Sequence, residues 1–447
     1  MRRLFDAWTI REGFGAEWRI SFPESGEPSG GASLVMPDSF LGMPRGEWLS
    51  IGTLPREPMA VLRTADFGLL PGSCDRDLPV LFGSPTYRQI AGNRSELGID
   101  IFGSAFFMLS RYEEAVVSTR DSHDRFPGRA SIAARNGFLD RPLVDEYVEL
   151  LWSALKKLAP GLERRPHQFR IAPSHDVDEP SRDAFRGIGS VLKESAGDLL
   201  KRRNYRRAVA GPWHWLHGQW RLHEADEYNT FERLMDLSDA QGATSTFFFM
   251  AGVSNPAYDR DYRLSHPAIR KLLSRIHRRG HLIGLHPSFE TYRDEALLRG
   301  EADHLRNTLA RLGIRQERLG ARMHYLRWSL PSTWWAIYHA GLDFDASLGF
   351  ADAPGFRCGT CHEYRAFDVV SLRPIDLTVK PLIAMDVSVM DPQYLGLGAS
   401  AAAHALLRKL RRRCQDVGGD FSLLWHNNEF TKSGSWDLYQ TALGTDS

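Results

Sequence analysis

The sequence predicts an α/β protein built as a regular α/β domain over residues 165–447, preceded by a smaller α/β domain over residues 1–160. Three observations lead there. Beyond residue 165 one unit recurs five times: an amphipathic helix, a glycine stop, then an apolar β-rich run. That alternation is the pattern of a parallel sheet wrapped by helices, either a barrel or an open doubly wound sheet. Polar residues cluster just after the apolar runs, at the carboxyl ends of strands, where both versions of the fold bind ligands. The region before 160 is instead rich in Gly, Pro and Ser and carries short strand signals, which sets it apart.

In chain order, residues 18–22 and 80–82 read as short strands. Asp100 is placed to cap a helix over DIFGSAFFMLSRYEE, with Ile101, Ala105, Leu109 and Tyr112 on one stripe. A second helix starts near Pro142 and aligns Leu143, Tyr147, Leu151, Ala154 and Leu158. Pro160, Gly161 and the charged GLERRPHQ end it, and the domain boundary is placed there. FRIAPSHDVD then reads as a strand running into a loop, followed by a basic, Trp-rich stretch over 193–223. Asn229 and Glu232 look like a capping box for a helix that stops at Gly242 before TSTFFFMAG. A helix with Ile269, Leu272, Leu273 and Ile276 ends at Gly280 before HLIGLH. One with Leu305, Leu309 and Leu312 ends at Gly313 before LGARMHYL. PSTWWAIYHAG runs from Pro331 to Gly341 and yields LDFDASLGF, and the last helix stops at Gly418 or Gly419 before DFSLLWHNN.

With 447 residues, 43% hydrophobic and 25% charged, the chain can bury an ordinary core without disulfides or structural metal. A formal charge of +1 provides no global field for a nucleic-acid backbone, so no nucleic-acid partner is expected. No apolar run approaches the ~18 residues of a spanning helix. Asp6, Arg11 and Glu12 interrupt the N-terminus where a secretory signal would need its apolar core. Cys74, Cys358, Cys361 and Cys414 are therefore expected to be reduced thiols in a cytoplasmic protein.

Chemistry is concentrated at the strand exits. Asp176 and Asp178, at i and i+2, project to one side of an extended chain. Like charges so placed repel unless a cation or a shared proton lies between them, although a loop with Asp as helix cap fits the same residues. His286 emerges after HLIGL, where a hydrogen-bonded core histidine and a ligand are both open readings. Parity sends Arg322 and His324 to one side together; Asp343, Asp345 and Asp386 follow other apolar runs, and His426 faces opposite to Trp425. Imidazole and carboxylate converging at one sheet rim suit Zn²⁺ and similar ions.

These motifs resemble the polysaccharide deacetylase superfamily (carbohydrate esterase family 4), in the family's order over residues 169–430. SHDVDEP is similar to its first motif, GATSTFFFM to its second-strand signature, and GHLIGLHPS to its second, His-containing motif. ARMHY looks like its Arg motif, FDASLGF its Asp motif and LLWH its terminal Leu-x-His motif. The region containing AFFMLSRYEE looks like the domain preceding a branch of these enzymes in surface-polysaccharide gene sets. The resemblance implies a distorted (β/α) barrel and metal-dependent removal of an N- or O-acetyl group from a sugar. It further implies Asp176 as general base, Asp178 and His286 as ligands of a divalent metal, Zn²⁺ above all, Arg322 orienting the base and His426 as general acid. The implied substrate is an acetylated glycan or a lipid-linked precursor. Where the family carries a second His, four residues beyond His286, this chain has Glu290. His324, which shares a facing with Arg322, is the preferred third ligand; His281 lies at the wrong end of its strand. A catalytically silent barrel that binds glycan or scaffolds polysaccharide assembly is the alternative.

Two further signals are weighed. Cys358-Gly-Thr-Cys361-His362 spells a haem-attachment pattern, but that attachment follows export, so a loop feature is the better reading. The basic stretch over 193–207 is either a solvated helix face or a contact with a phosphate-bearing carrier or the membrane surface, and Trp213, Trp215 and Trp220 beside it either stack sugars or pack the insertion.

Overall fold

Residues 32–67, 77–164, 167–259 and 262–445 are described by the computed structural model. The expected strand at 18–22, the N-terminal leader reading and Cys74 fall outside them. Up to residue 164 the elements are short: β1 (Ser33–Val35), β2 (Ala60–Arg63), β3 (Asp77–Val80), β4 (Gly83–Ala91) and β5 (Arg94–Ile99), then α1 (Ile101–Leu109), α2 (Tyr112–Val116), α3 (Ile132–Arg135) and α4 (Leu143–Leu158). β5 pairs parallel with β1 and antiparallel with β4, while β2 and β3 form a separate antiparallel pair. One core joins these elements, from Phe40 through Leu97, Phe107 and Tyr147 to Leu162, with Val369 reaching in from the rest of the chain.

Asp100 caps α1 through Gly103 N at 2.8 Å, and its other oxygen accepts from Ser39 N and Phe40 N. The single helix expected over 100–114 is broken. Arg111 adopts φ 56°, a left-handed conformation that unbranched chains tolerate only with support. The support is a buried charge network: Arg111 Nε donates to Glu114 Oε1 at 2.9 Å, Arg357 holds Glu114 Oε2 at 2.6 Å, and Arg111 also donates to the Arg357 carbonyl. All three side chains are about 2% exposed, and the network ties this region to a loop more than two hundred residues away. The shorter strand signal also shifts: β3 ends at Val80, and 81–82 form the link to β4.

Beyond residue 167 the frame is a nine-stranded sheet of β6 (Arg170–Val177), β7 (Thr246–Met250), β8 (Leu282–His286), β9 (Gly320–Ala321), β10 (Phe344–Asp345), β11 (Tyr364–Asp368), β12 (Arg373–Val379), β13 (Ala384–Met385) and β14 (Asp420–Leu424). Its order is β11-β12-β10-β9-β8-β7-β6-β14-β13. Every pair is parallel except β11 with β12, so eight strands end at the same rim. The strands read as continuous apolar runs, as sheets covered on both faces do; in β7 Phe247, Phe248, Phe249 and Met250 are all buried.

Chain length forces this sheet to curl. β12 and β13 are seven strand steps apart, about 34 Å in a flat sheet at ~4.8 Å per step. Only residues 380–383 join Val379 to Ala384, a reach of at most about 18 Å. No hydrogen-bonded ladder joins β11 to β13 among the described residues, so the sheet is curled without being closed by pairing. Phe248, Phe344 and Ala346 fill the inside of the curl. Glycines make their room: a Cβ on Gly284 would meet the Phe248 ring at 2.4 Å, and one on Gly320 the Phe344 ring at 2.2 Å. At the amino-terminal rim a cavity of about 610 Å³ is bordered by residues from strands all round the curl, among them Ser174, Thr246, Phe344 and Ser422.

The outer layer is α5 (Ile188–Leu200), α6 (Tyr205–Gly218), α7 (Phe231–Ala240), α8 (Pro267–Arg278), α9 (Glu295–Arg311), α10 (Ser332–His339), α11 (Asp386–Met390), α12 (Ala401–Asp416) and α13 (Ser435–Leu443). The apolar faces of α7 to α13 and the sheet make a second core, which contains Ile269, Leu272, Leu273, Ile276, Leu305 and Leu309. The expected capping box at α7 does not form. Thr230 is the N-cap without a side-chain bond, Asn229 Nδ2 donates to the His223 carbonyl, and Glu232 pairs with Arg275 and Arg279 on α8. Helix α12 stops before Gly418, which takes φ 65°. No helix of the described residues is long and apolar enough to cross a membrane.

Neighbouring glutamates in α2 titrate in opposite directions. Burial pushes Glu113 up to about 7, only partly offset by Arg111, the Ile132 amide and Arg135. Burial also disfavours the charged Glu114, but Arg357 and Arg111 outweigh it and hold that carboxyl below its usual range. Replacing Glu114 by Gln strands two buried guanidinium charges, and denaturant unfolding should show a loss of about 3–5 kcal/mol. Glu113 keeps its proton in the folded chain where the unfolded chain has lost it, so its contribution is full below pH ~4.5 and disappears as pH rises towards 7. Glu113→Gln should flatten stability against pH across that window; an unchanged profile would refute the assignment.

Candidate metal centre

The shared rim gathers the strand-exit residues. Along β6 side chains alternate, so His175 enters the core between sheet and helices, where its Nδ1 lies 2.8 Å from the Trp425 carbonyl, while Asp176 and Asp178 turn to the inside of the curl. Burial pushes the His175 imidazole down to about 3, in keeping with a neutral core histidine. Parity separates Trp425 and His426 in the same way. Trp425 is buried, with its Nε1 on Ser435 Oγ, and His426 reaches the rim.

Three donors converge. His286 Nε2 stands 3.1 Å from Asp178 Oδ1, and His324 Nε2 stands 3.9 Å from Asp178 Oδ2. One ligand atom from each of Asp178, His286 and His324 lies within 4.8 Å of the others. The second nitrogen of each imidazole is already engaged: His286 Nδ1 is 2.6 Å from the Arg322 carbonyl, and His324 Nδ1 is 2.9 Å from Asp259 Oδ1. With Nδ1 so engaged, each imidazole turns its Nε2 inward, as in carboxylate–histidine–metal sites.

Two other groups flank the cluster. Asp176 lies 3.8 Å from His286 Nε2 and 3.6 Å from the Arg322 guanidinium, which itself donates to Ser174 Oγ and the Ala346 carbonyl and stacks over the Phe248 ring. His426 Nε2 is 3.8 Å from Asp178, and its Nδ1 is 2.8 Å from Asp386 Oδ1. Burial disfavours a charged His426, but Asp386, Asp178 and Asp176 outweigh it and raise the imidazole to about 10, so it carries a proton at neutral pH. Burial likewise works against the Asp178 carboxylate, and His324, His286 and His426 overcome it, holding the group far below the usual carboxylate range.

Whether a cation fits is decided by the orphaned atoms. Asp176 Oδ1, Asp178 Oδ1 and His286 Nε2 are buried without a hydrogen-bond partner, a state that costs about 1–3 kcal/mol per atom unless something else satisfies it. A divalent ion held by Asp178, His286 and His324 would satisfy the last two. Two other groups have three potential donors, Asp145–Cys361–His362 and Asp183–His214–Asp226. Their carboxylates already accept hydrogen bonds, Asp145 from Thr360 and the Cys361 amide, Asp226 from Ser181 and the Arg182 and Tyr228 amides. Cys358, Cys361 and Cys414 are free and buried.

Glu290 is elsewhere. It pairs with Arg327 at 3.1 Å and accepts from Asn255 Nδ2, with nearly half its side chain exposed. His281, at the start of β8, accepts from Ser245 N far from the rim. Asp345 is turned to Ser347 N and Trp334 Nε1, and Ser347 Oγ in turn accepts from Met323 N, so this carboxylate braces the segment between Arg322 and His324. Two partners received no role in the sequence reading. Asp386 stood at a recognised strand exit; Asp259 sits in the loop after β7, where only its acidity could have marked it.

Behind His324, Tyr325 and Leu326 take φ 58° and 54° in succession, a strained stretch of about 1–3 kcal/mol per residue. Arg125, from the N-terminal region, donates to the Tyr325 carbonyl at 3.0 Å, and His123 stacks on the Tyr325 ring with centroids 5.0 Å apart.

Comparison with known proteins adds a partial match. Residues 60–160 match the model of a family of unknown function, DUF7033. No curated protein matches the chain. Among solved structures, the chain is similar to one described provisionally as a polysaccharide deacetylase from Mycobacterium smegmatis, at 18% identity and TM-score 0.38, covering 63% of this chain and 83% of that one. It is also similar to Puue allantoinase, at 12% identity and TM-score 0.33, covering 63% of this chain and 88% of that one. Likeness this distant carries no activity or ligand across.

Because Asp259 orients His324 from behind, Asp259→Asn should weaken metal affinity about 10–100-fold, measured by chelator competition. Unchanged affinity would exclude His324 from the donor set.

Proposed function

We propose that this chain is a metal-dependent hydrolase that removes an acetyl group from a sugar of a surface polysaccharide or its precursor, on a distorted (β/α) barrel with a smaller N-terminal domain. One observation carries the reading: a two-histidine, one-carboxylate donor set with orphaned inward atoms, flanked by one carboxylate and one imidazole anchored on Asp386. Asp178, His286 and His324 are the proposed ligands. Two imidazoles and a carboxylate suit Zn²⁺ with a position left open for water or substrate. When bound, the ion supplies Lewis acidity, polarising an acyl oxygen and easing ionisation of a water.

The remaining roles belong to the chain itself. Asp176, whose Oδ1 is orphaned, is the proposed base, and the Arg322 guanidinium at 3.6 Å aims its carboxylate. His426, protonated through Asp386, is the proposed acid that hands a proton to the leaving amine or alcohol. An amide or ester needs both transfers, one to generate the nucleophile and one to release the leaving group. For a sugar, the half-exposed Tyr325 ring beside His324 offers a flat apolar face that a pyranose can cover.

Acetate release should be measured from N-acetylated sugars, sugar nucleotides and lipid-linked oligosaccharides, with and without chelator. Asp176→Asn should retain stoichiometric metal while losing about 10²–10⁴ in rate. His286→Ala should lose metal and rate together. Acetate release indifferent to chelator, or none from any substrate by the metal-loaded protein, would overturn the proposal.

A further inference from the structure

The insertion between β6 and α7 is inside out. Apart from Val191, its helices α5 and α6 meet through small and polar residues: a Cβ on Gly211 would stand 3.1 Å from Ser195 Oγ and 3.5 Å from Val191 Cγ1, and Asp198 and His214 are buried. Between them lies a pocket of about 320 Å³ lined by Arg182, Glu194, Asp198, Arg207 and His214. The apolar residues point the other way. On α6, Tyr205, Val209, Trp213 and Leu216 recur at i, i+4, i+8 and i+11, so they form one stripe, and they are 65%, 73%, 53% and 46% exposed. On α5, Ile188, Leu192 and Leu199 fall at i, i+4 and i+11 of one stripe, followed by Leu200 at 77% exposure. A soluble helical hairpin buries such stripes; this one presents them.

Charge says what covers them. Lys193, Lys201, Arg203 and Arg206 are exposed and have no acidic partner among the described residues. The hairpin's own acids are occupied, Glu194 by Arg182 and Arg186, Asp198 by Arg202. The unpaired charge of the element is therefore positive. Apolar stripes carrying Trp and Tyr, bordered by free Lys and Arg, match the boundary of an anionic bilayer, with rings at headgroup depth and cations on lipid phosphates. A second copy of the chain fits less well, because a two-fold contact would set the same unpaired cations against one another.

We propose that the α5–α6 hairpin docks on an anionic membrane surface. Its root is fixed beside the candidate metal centre: Asn427, next to His426, donates to the carbonyls of Glu179 and Tyr228, on either side of the insertion. Docking therefore holds the rim of the sheet near the bilayer, where a lipid-linked glycan would be presented. That consequence rests on the proposed hydrolase reading; the docking itself does not.

The test is co-sedimentation of the full chain with vesicles of phosphatidylcholine alone or mixed with phosphatidylglycerol. Binding to the mixed vesicles only, weakening as NaCl is raised, is expected. Val209→Asp with Trp213→Asp should abolish it, and Lys201→Glu with Arg203→Glu and Arg206→Glu should lower it at least about tenfold. All of these positions are on the surface, and an unchanged circular-dichroism spectrum and thermal midpoint would show that both variants are folded. His286→Ala should bind vesicles as the parent does, which separates failure of docking from failure of the hydrolase reading. No binding to mixed vesicles, or binding untouched in both variants, would overturn the proposal. So would a dimer in solution that the Val209/Trp213 variant dissolves, since the face would then belong to a second copy.

Discussion

Residues 380–383 are the constraint on which the rest depends, because a short tether between β12 and β13 allows no flat arrangement of the strands between them. Curled and with eight strands pointing one way, the sheet brings residues distant in sequence to one rim: Asp178 after β6, His286 on β8, His324 after β9 and His426 after β14. Phe248 and Phe344 plug the interior beneath them, and Arg322 rests on that plug through the Phe248 ring. The acidic and basic groups above therefore sit on an apolar floor, where electrostatic interactions are stronger than in water.

The rim is balanced by pairing. Asp176 and Asp178 are set among His286, His324, His426 and Arg322, and each imidazole is anchored from behind by Arg322 O, Asp259 or Asp386. Removing an anchor frees a ring to rotate, which is why the carboxylates behind the histidines matter nearly as much as the histidines. The N-terminal region takes part. Arg125 and His123 brace the strained turn at Tyr325, and Arg111 and Glu114 close a buried charge network with Arg357. Such a network is a poor source of net stability but a strict one, since any single loss leaves a buried charge unpaired.

Much of this was legible in the sequence, for reasons that are local. Glycine stops and apolar runs marked the alternation of helix and strand, and the two-residue period of a strand put Asp176 with Asp178 and set His426 against Trp425. Local signals failed where a distant partner decided. Arg111 breaks a helix that its own stretch would continue, because Arg357 and Glu114 draw its guanidinium inward. Glu232 leaves its capping box for Arg275 and Arg279, which only the packing of α7 against α8 brings near.

The sequence by itself determined the helix–strand alternation beyond residue 165 and the facing of the strand-exit side chains, because these follow from backbone periodicity within a few residues. Only the tertiary structure decided which of those side chains meet. Glu290, four residues past His286, is held by Arg327 and Asn255, whereas His324, on the next strand, faces Asp178 with Asp259 behind it. It also decided the polarity of the hairpin, in which α5 and α6 meet at Gly211 and Ser195 and leave their apolar stripes facing outward. Distances across a curled sheet depend on how far it curls, and that is set by the whole chain at once.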